Sequence, residues 1–300
     1  MSELISIIMS VYNETDSVLA LSVDSILSQS YSNFEFIIVD DNPNNTQIRD
    51  FLKRQSDPRI VRIYNKENRG LVYSLNKALK VAKGSIIARM DADDISEKDR
   101  IEKEYRYLKN HNLDLVGTWI HLIDSQNNKI GELKFPITSK GINQHIKLGG
   151  CIAHPSWMGK REVFVELNGY RSIPYCEDYD FLLRAIKAGF RMGNVPMFGL
   201  QYRIRKEGIS LSNQNKQLTM RRYLARNRKK EEKIRMDSIE DFLMSDKFQK
   251  EVAKLNDYEN VKKNFKNKEF NASVHLICNK NFYIYLYEKL MSMLYKKLYK

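Results

Sequence analysis

Through the first 125 residues, short apolar runs alternate with segments of helical period, and this alternation constrains the fold more than any other property of the chain. Strand-length runs separated by helix-length segments are the pattern of βαβ units around a mainly parallel sheet. Ile5 to Ser10, Phe34 to Val39, Ile60 to Tyr64, Ser85 to Met90 and Leu113 to Ile120 read as strands. Ser17 to Gln29 reads as a helix whose face is traced by Val18, Leu21, Ser25 and Ile26; Thr46 to Arg54, Gly70 to Lys83 and Glu97 to Asn110 follow it. Four of the strands end in polar loops: Tyr12-Asn13-Glu14, Asp40-Asp41-Asn42-Pro43, Asn65 to Gly70, and Asp91-Ala92-Asp93-Asp94. Ligands of open α/β sheets bind at the carboxyl ends of the strands, so these loops are expected to converge on one mouth.

From about Asn127 to Arg203 the order changes. Short strands (Ile130 to Phe135, His154 to Gly159, Gly193 to Tyr202) mix with helices (Ser139 to Leu148, Lys160 to Leu167, Asp178 to Ala188), which reads as an α+β half packed on the first sheet. Beyond Asn213 there is no Gly or Pro, and Lys, Arg, Glu, Leu and Tyr dominate a series of helices. Charge follows the same division. The chain carries a net +13, of which residues 1–200 supply +1 and residues 201–300 supply +12.

No leader precedes the first apolar run, and no segment reaches the ~20 apolar residues of a spanning helix, so a cytoplasmic location is expected. Cys151, Cys176 and Cys278 are too few and too far apart for a disulfide framework or a zinc motif. The five histidines show no metal-ligand spacing. Neither GxGxxG nor GxxxxGK[ST] occurs, so a nucleotide bound here would not be cradled on a glycine turn.

Chemistry concentrates in two acidic knots. Asp91, Asp93 and Asp94 lie within four residues at a strand end, and carboxylates this close need a cation. In extended chain Asp91 and Asp93 point to the same side, and hard oxygen ligands favour Mg²⁺ or Mn²⁺. Helix capping by Asp93 and Asp94 is the competing account. The second knot, Cys176-Glu-Asp-Tyr-Asp180, stands at a helix start, where the macrodipole favours ionised Glu177 and Asp178. One of them can act as a general base, with capping again the alternative.

The ordered motifs Ser6 to Asn13, Ser25 to Ser30, Phe36 to Asp41, Asn68-Arg-Gly70, Ala88 to Asp94, His154-Pro-Ser156, Asn168-Gly-Tyr170 and Glu177 to Asp180 resemble the inverting glycosyltransferases of family 2. The likeness covers roughly residues 4–210. It implies a GT-A fold, Rossmann-like with helices on both faces of the sheet, and a bacterial polysaccharide-building activity that uses a nucleotide sugar, with UDP favoured. By the resemblance, residues 1–125 form a nucleotide-binding half, 126–212 an acceptor-binding half, and 213–300 a basic, aromatic-rich helical extension.

The same resemblance implies roles. Ser10, Tyr12 and Asn13 would line the base, with Tyr12 stacked on it; Asp40 would bind base or ribose, and Arg69 would face the nucleotide. Asp91 and Asp93 look like the family's DxD pair, Asp93 the metal ligand and Asp91 nearer the ribose, leaving Asp94 as a cap. Asp178 corresponds to the catalytic base and Glu177 to its companion. His154 would sit on the acceptor side or in the core. Many relatives place a histidine after the strand represented by Tyr202-Arg-Ile204, but this chain has Arg205. A guanidinium cannot bind the metal, but it suits a leaving phosphate.

The tail allows more than one partner. Met220 to Lys230 is rich in Arg and Lys, yet no nucleic-acid motif accompanies it. In Asn281 to Lys300, Tyr283, Leu286, Tyr287, Leu290, Met293, Leu294 and Leu298 recur at helical spacing beside lysines. That pattern suits an anionic membrane surface, packing on the catalytic domain, or self-association. A metal-dependent nucleotidyltransferase and a silent scaffold of a polysaccharide complex are the rival functions.

Overall fold

The computed structural model describes residues 3–205 and 213–266, together with Tyr283, Leu286, Tyr287, Leu290, Met291 and Met293. His275, Cys278 and most of the Asn281 to Lys300 segment lie outside the described residues. The first half runs β1 (Ile5–Val11), α1 (Asp16–Leu27), β2 (Phe34–Asp40), α2 (Thr46–Arg54), β3 (Ile60–Tyr64), α3 (Leu71–Val81), β4 (Ile86–Arg89), β5 (Ile95–Ser96) and α4 (Arg100–Asn110). Then come β6 (Leu115–Ile123), β7 (Lys129–Leu133), α5 (Ser139–His145), β8 (Met158–Lys160), α6 (Arg161–Glu166), α7 (Glu177–Lys187) and β9 (Met192–Arg203). Helices α8 (Gln214–Asn227), α9 (Met236–Met244) and α10 (Asp246–Lys266) follow.

The strands form one sheet in the order β3-β2-β1-β4-β8-β6-β9-β5, with β7 paired to β6. β1, β2, β3 and β4 are parallel, which sends their carboxyl ends to one edge. β8 runs antiparallel to both β4 and β6, and β6 and β9 are again parallel. The β6–β9 register slips twice, around Pro196-Met197 and at Gly199.

Alternation along each strand builds two cores. Ile8, Ile37 and Ile87 face one side with α3, α5, α6 and α7; Ile7, Phe36, Ile38 and Ile86 face the other with α1, α2 and α4. Met220, Leu224, Ile239, Phe248 and Val252 of α8, α9 and α10 join the first core, in one cluster with Trp157 and Phe181. Helices α8, α9 and α10 therefore pack on the sheet-bearing body. On α1 the buried face is Leu19, Ser22, Val23, Ser25 and Ile26, while Leu21 is exposed, so the expected face was rotated by one position.

Two glycines serve backbone contacts. Gly70 precedes α3 at φ +81°, a conformation side chains rarely tolerate, and its N–H donates to the Asp41 carboxylate just past β2. At Gly84 an added Cβ would lie 2.6 Å from the Leu4 carbonyl and 2.7 Å from the Ser6 nitrogen, so only glycine lets this turn close on β1.

Candidate active site

The strand pairing Val11↔Asp40 puts the loops after β1 and β2 side by side. Tyr12 is 46% exposed at the rim; its carbonyl accepts from the Asn42 amide at 2.8 Å, and its N–H donates to Glu14 at 2.8 Å. Ser10 is partly buried and Asn13 exposed on the same edge.

The two adjacent acids at the end of β2 have different fates. Asp41 is buried and accepts three N–H bonds, from the Asn65 amide (2.7 Å) and from the Arg69 (2.9 Å) and Gly70 (2.7 Å) backbones. It pins the loop that enters α3. Asp40 is fully buried, with Arg49 at 3.5 Å and an N–H from Asn42 at 3.0 Å. Burial raises its pKa, and Asn42 and Arg49 only partly offset that. The Arg69 side chain is held outside, paired with Glu67 at 2.9 Å and lying 4.6 Å over the Tyr73 ring.

Past β4 the chain turns rather than staying extended, so all three carboxylates of the first knot meet, within 4.8 Å of one another. Asp94 does not cap a helix. Residues Ile95–Ser96 pair with β9 as a strand, α4 begins only at Arg100, and Asp94 Oδ1 instead accepts the Arg203 N–H at 2.9 Å. Its Oδ2 is buried without a partner. Burial and the neighbouring carboxylates raise the pKa of Asp94 well above the carboxylate range and that of Asp93 to about 6. Three converging oxygen ligands, one of them buried and unpartnered, fit a hard divalent cation.

Glu177 and Asp178 occupy the first turn of α7, where Asp178 Oδ1 accepts the Tyr179 N–H at 2.6 Å. Burial raises both, Glu177 to about 7 with Asp178 adding to the push. Asp180, the third acid of this knot, is buried and neutralised by Arg171 and Arg184. The charges of Asp91 and Arg89 both act on Glu177, so the two knots lie within electrostatic reach of one another.

Between them lies a residue that sequence reasoning missed. Arg89, the last of β4, is 2% exposed; its Nη2 is 2.5 Å from Asp91, while Nε and Nη1 have no hydrogen-bond partner. Its charge lowers the pKa of both Glu177 and Asp178. The available signal was an arginine inside an apolar run two residues before the acids. Arg100 was missed too: wholly buried, it donates to Ser96 Oγ at 2.7 Å and to the Arg89 carbonyl at 3.2 Å, holding the strand end that carries the first knot.

His154 is buried, with Nε2 3.1 Å from the Tyr170 hydroxyl and an edge against Trp157. Burial and the charge of Arg89 keep it neutral. Arg205 reaches into the first knot, its Nε 2.8 Å from Asp93 Oδ2.

Residues 6–167, more than half the chain, match glycosyl transferase family 2. The O-antigen biosynthesis glycosyltransferase WbnJ of Escherichia coli is 38% identical over 213 residues, 70% of this chain and 83% of that protein. WfaP of the same species, named a UDP-Glc:alpha-D-GlcNAc-diphosphoundecaprenol beta-1,3-glucosyltransferase, is 30% identical over 213 residues, 69% and 80% of the two chains. Among solved structures, a mannosyltransferase from Pyrobaculum calidifontis, described in complex with GDP-Man and Mn²⁺, superposes with a TM-score of 0.57 at 16% identity, covering 97% of this chain and 84% of that one. The sheet with helices on both faces is thus the expected GT-A fold. With its acidic turn after β4, and a match that spans most of the sheet, the chain belongs to glycosyl transferase family 2.

Proposed function

We propose that this glycosyltransferase moves a hexosyl or N-acetylhexosaminyl unit from a UDP-sugar to a saccharide or lipid-linked saccharide hydroxyl, with inversion, in polysaccharide or O-antigen assembly. The observation that carries the reading is Arg89, buried 2.5 Å from Asp91 of one acidic knot and acting by its charge on Glu177 and Asp178 of the other. The names of WbnJ and WfaP support the pathway, and that of WfaP supports both UDP and a lipid diphosphate acceptor.

In this reading Tyr12, with Ser10 and Asn13, lines the base, and the buried Asp40 binds base or ribose. Arg69 faces the nucleotide from the loop that Asp41 holds. Asp93 and Asp91 hold Mn²⁺ or Mg²⁺, which when bound supplies charge neutralisation to the departing diphosphate. Asp178 takes the proton from the acceptor hydroxyl as that oxygen attacks the anomeric carbon from the face opposite the leaving group. Glu177 orients the acceptor, and His154, neutral and tied to Tyr170, shapes the floor behind it.

Asp178→Asn is expected to lower turnover on the order of 10²- to 10⁴-fold while nucleotide affinity by calorimetry stays near wild type. Wild-type turnover in that variant would end the assignment. A panel of nucleotide sugars separates the rivals: a nucleotidyltransferase releases pyrophosphate from a nucleoside triphosphate, and a silent scaffold turns over no donor.

A second element concerns location. Tyr283, Leu286, Tyr287, Leu290 and Met293 are helical and 44–59% exposed, in the half of the chain that carries the positive charge. We place this stripe against an anionic membrane at the cytoplasmic face, near a lipid-linked acceptor. Replacing Tyr283, Tyr287 and Leu290 with serine in the full chain should abolish flotation with anionic liposomes; unchanged flotation would sink the idea.

A further inference from the structure

Besides Arg89, two arginines of the β9 end meet the first acidic knot, and they are attached differently. Arg203 is built in: its N–H goes to Asp94, its Nε to the Asp93 carbonyl at 2.8 Å, and its Nη1 to the Asp124 carbonyl at 3.0 Å. Among the described residues Arg205, beyond the end of β9, has one close partner, Asp93 Oδ2 at 2.8 Å, and a long approach of 3.9 Å to Glu14 in the loop after β1. Its Nη2 is buried without a hydrogen bond, and about a third of the side chain remains exposed. This guanidinium therefore sits on the carboxylate oxygen that a divalent cation would need.

The two cations disfavour one another on that oxygen. They compete for the same lone pairs and repel each other at close range. A guanidinium that leaves Asp93 has a planar fork of donors suited to phosphate oxygens. A nucleoside diphosphate entering beside Asp93 offers those oxygens and so draws Arg205 off the carboxylate.

We propose that Arg205 is the resting counter-ion of Asp93, exchanged for the divalent cation when a nucleoside diphosphate arrives and takes up the released guanidinium. The inference rests on the reading of Asp93 as a metal ligand. Its consequence is coupling. In wild type the metal binds weakly alone and tightly with nucleotide, because nucleotide removes the competitor; without Arg205 the metal site is open from the start, and the ternary complex loses a phosphate contact.

Mn²⁺ titration of the full chain, followed by the electron paramagnetic resonance of free Mn²⁺ with and without UDP, tests this directly. Arg205→Ala is expected to bind Mn²⁺ alone at least ~5-fold more tightly than wild type, and its UDP enhancement should shrink, within the usual range of coupling between sites. Arg205→Gln, which keeps the side-chain length, should behave the same way, and melting curves of both report that the fold is intact. Equal or weaker Mn²⁺ affinity in both variants, or an undiminished UDP enhancement, overturns the exchange while leaving the metal site standing. Failure of wild type and variants alike to bind Mn²⁺, even with UDP, overturns the metal reading and the exchange with it.

Discussion

Asp41→Ala is the sharpest test of how this mouth is built. The carboxylate is 2% exposed and takes three N–H donors, two of them backbone groups of residues 69 and 70. Hydrogen bonds to a charged group contribute about 1.5–3 kcal/mol each, and donors left buried cost their desolvation. The three are not additive, because Asn65 keeps Ser74 as a second acceptor at 2.9 Å and water can reach the loop. We therefore expect a loss of about 3–5 kcal/mol, the scale of a broken buried network. For a chain of this length that corresponds to a fall in Tm of roughly 6–10 °C. Asp41→Asn keeps one acceptor oxygen but turns an amide N–H₂ toward a donor, so about 1–3 kcal/mol is expected. Urea unfolding measures both, and nucleotide affinity should drop in parallel as the Arg69 loop is freed. Asp40→Ala is the contrast, because that carboxylate is desolvated with a single partly exposed arginine nearby and should cost nucleotide affinity more than stability. A stability change under about 1 kcal/mol in Asp41→Ala, or equal effects of alanine at 40 and 41, would refute the account.

Gly84→Ala drives a Cβ into β1 backbone atoms that cannot swing aside, and should cost about 2–3 kcal/mol in urea unfolding, whereas Gly150→Ala meets nothing within 4 Å and should be silent. The base must be ionised to act, and its knot is pushed up by burial, with Glu177 at about 7, so kcat/KM should rise with pH through the neutral range and be lost below it. A profile flat from pH 5 to 8 would contradict that. Arg89→Met removes the charge that favours the ionised form, so the acid limb should move to higher pH, while Arg89→Lys should leave it near wild type; an unmoved limb in the methionine variant would argue against the shared role.

Much of the fold was legible because it is local. α2 and β3 begin and end where periodicity and turn residues put them, and the acids at the ends of β2 and β4 stood out against apolar runs. What stayed hidden depends on distant partners. β5 is two residues long and exists because it pairs with Leu200 and Gln201. Asp40 and Asp41 are indistinguishable in sequence; the difference comes from which side receives the chain at residues 65–70. The roles of Arg89 and Arg100 were not read at all, because only tertiary packing buries them beside the acidic turn. Asp94 looked like a cap because nothing local announces that Arg203 will arrive to use it.

β9 gives the molecule a constraint on length rather than on composition. Asn194 is anchored at one end, donating to the carbonyls of Pro136 and Cys151, while Arg203 and Arg205 deliver their groups to Asp94 and Asp93 at the other. One residue added between Leu200 and Arg203 would advance both arginines by about 3.3 Å and turn each to the opposite side of the sheet, with every site residue still present in the sequence. The bulge at Pro196-Met197 already stands out of register and can absorb an extra residue, so insertions are tolerable there and ruinous a few positions later, between Leu200 and Arg203.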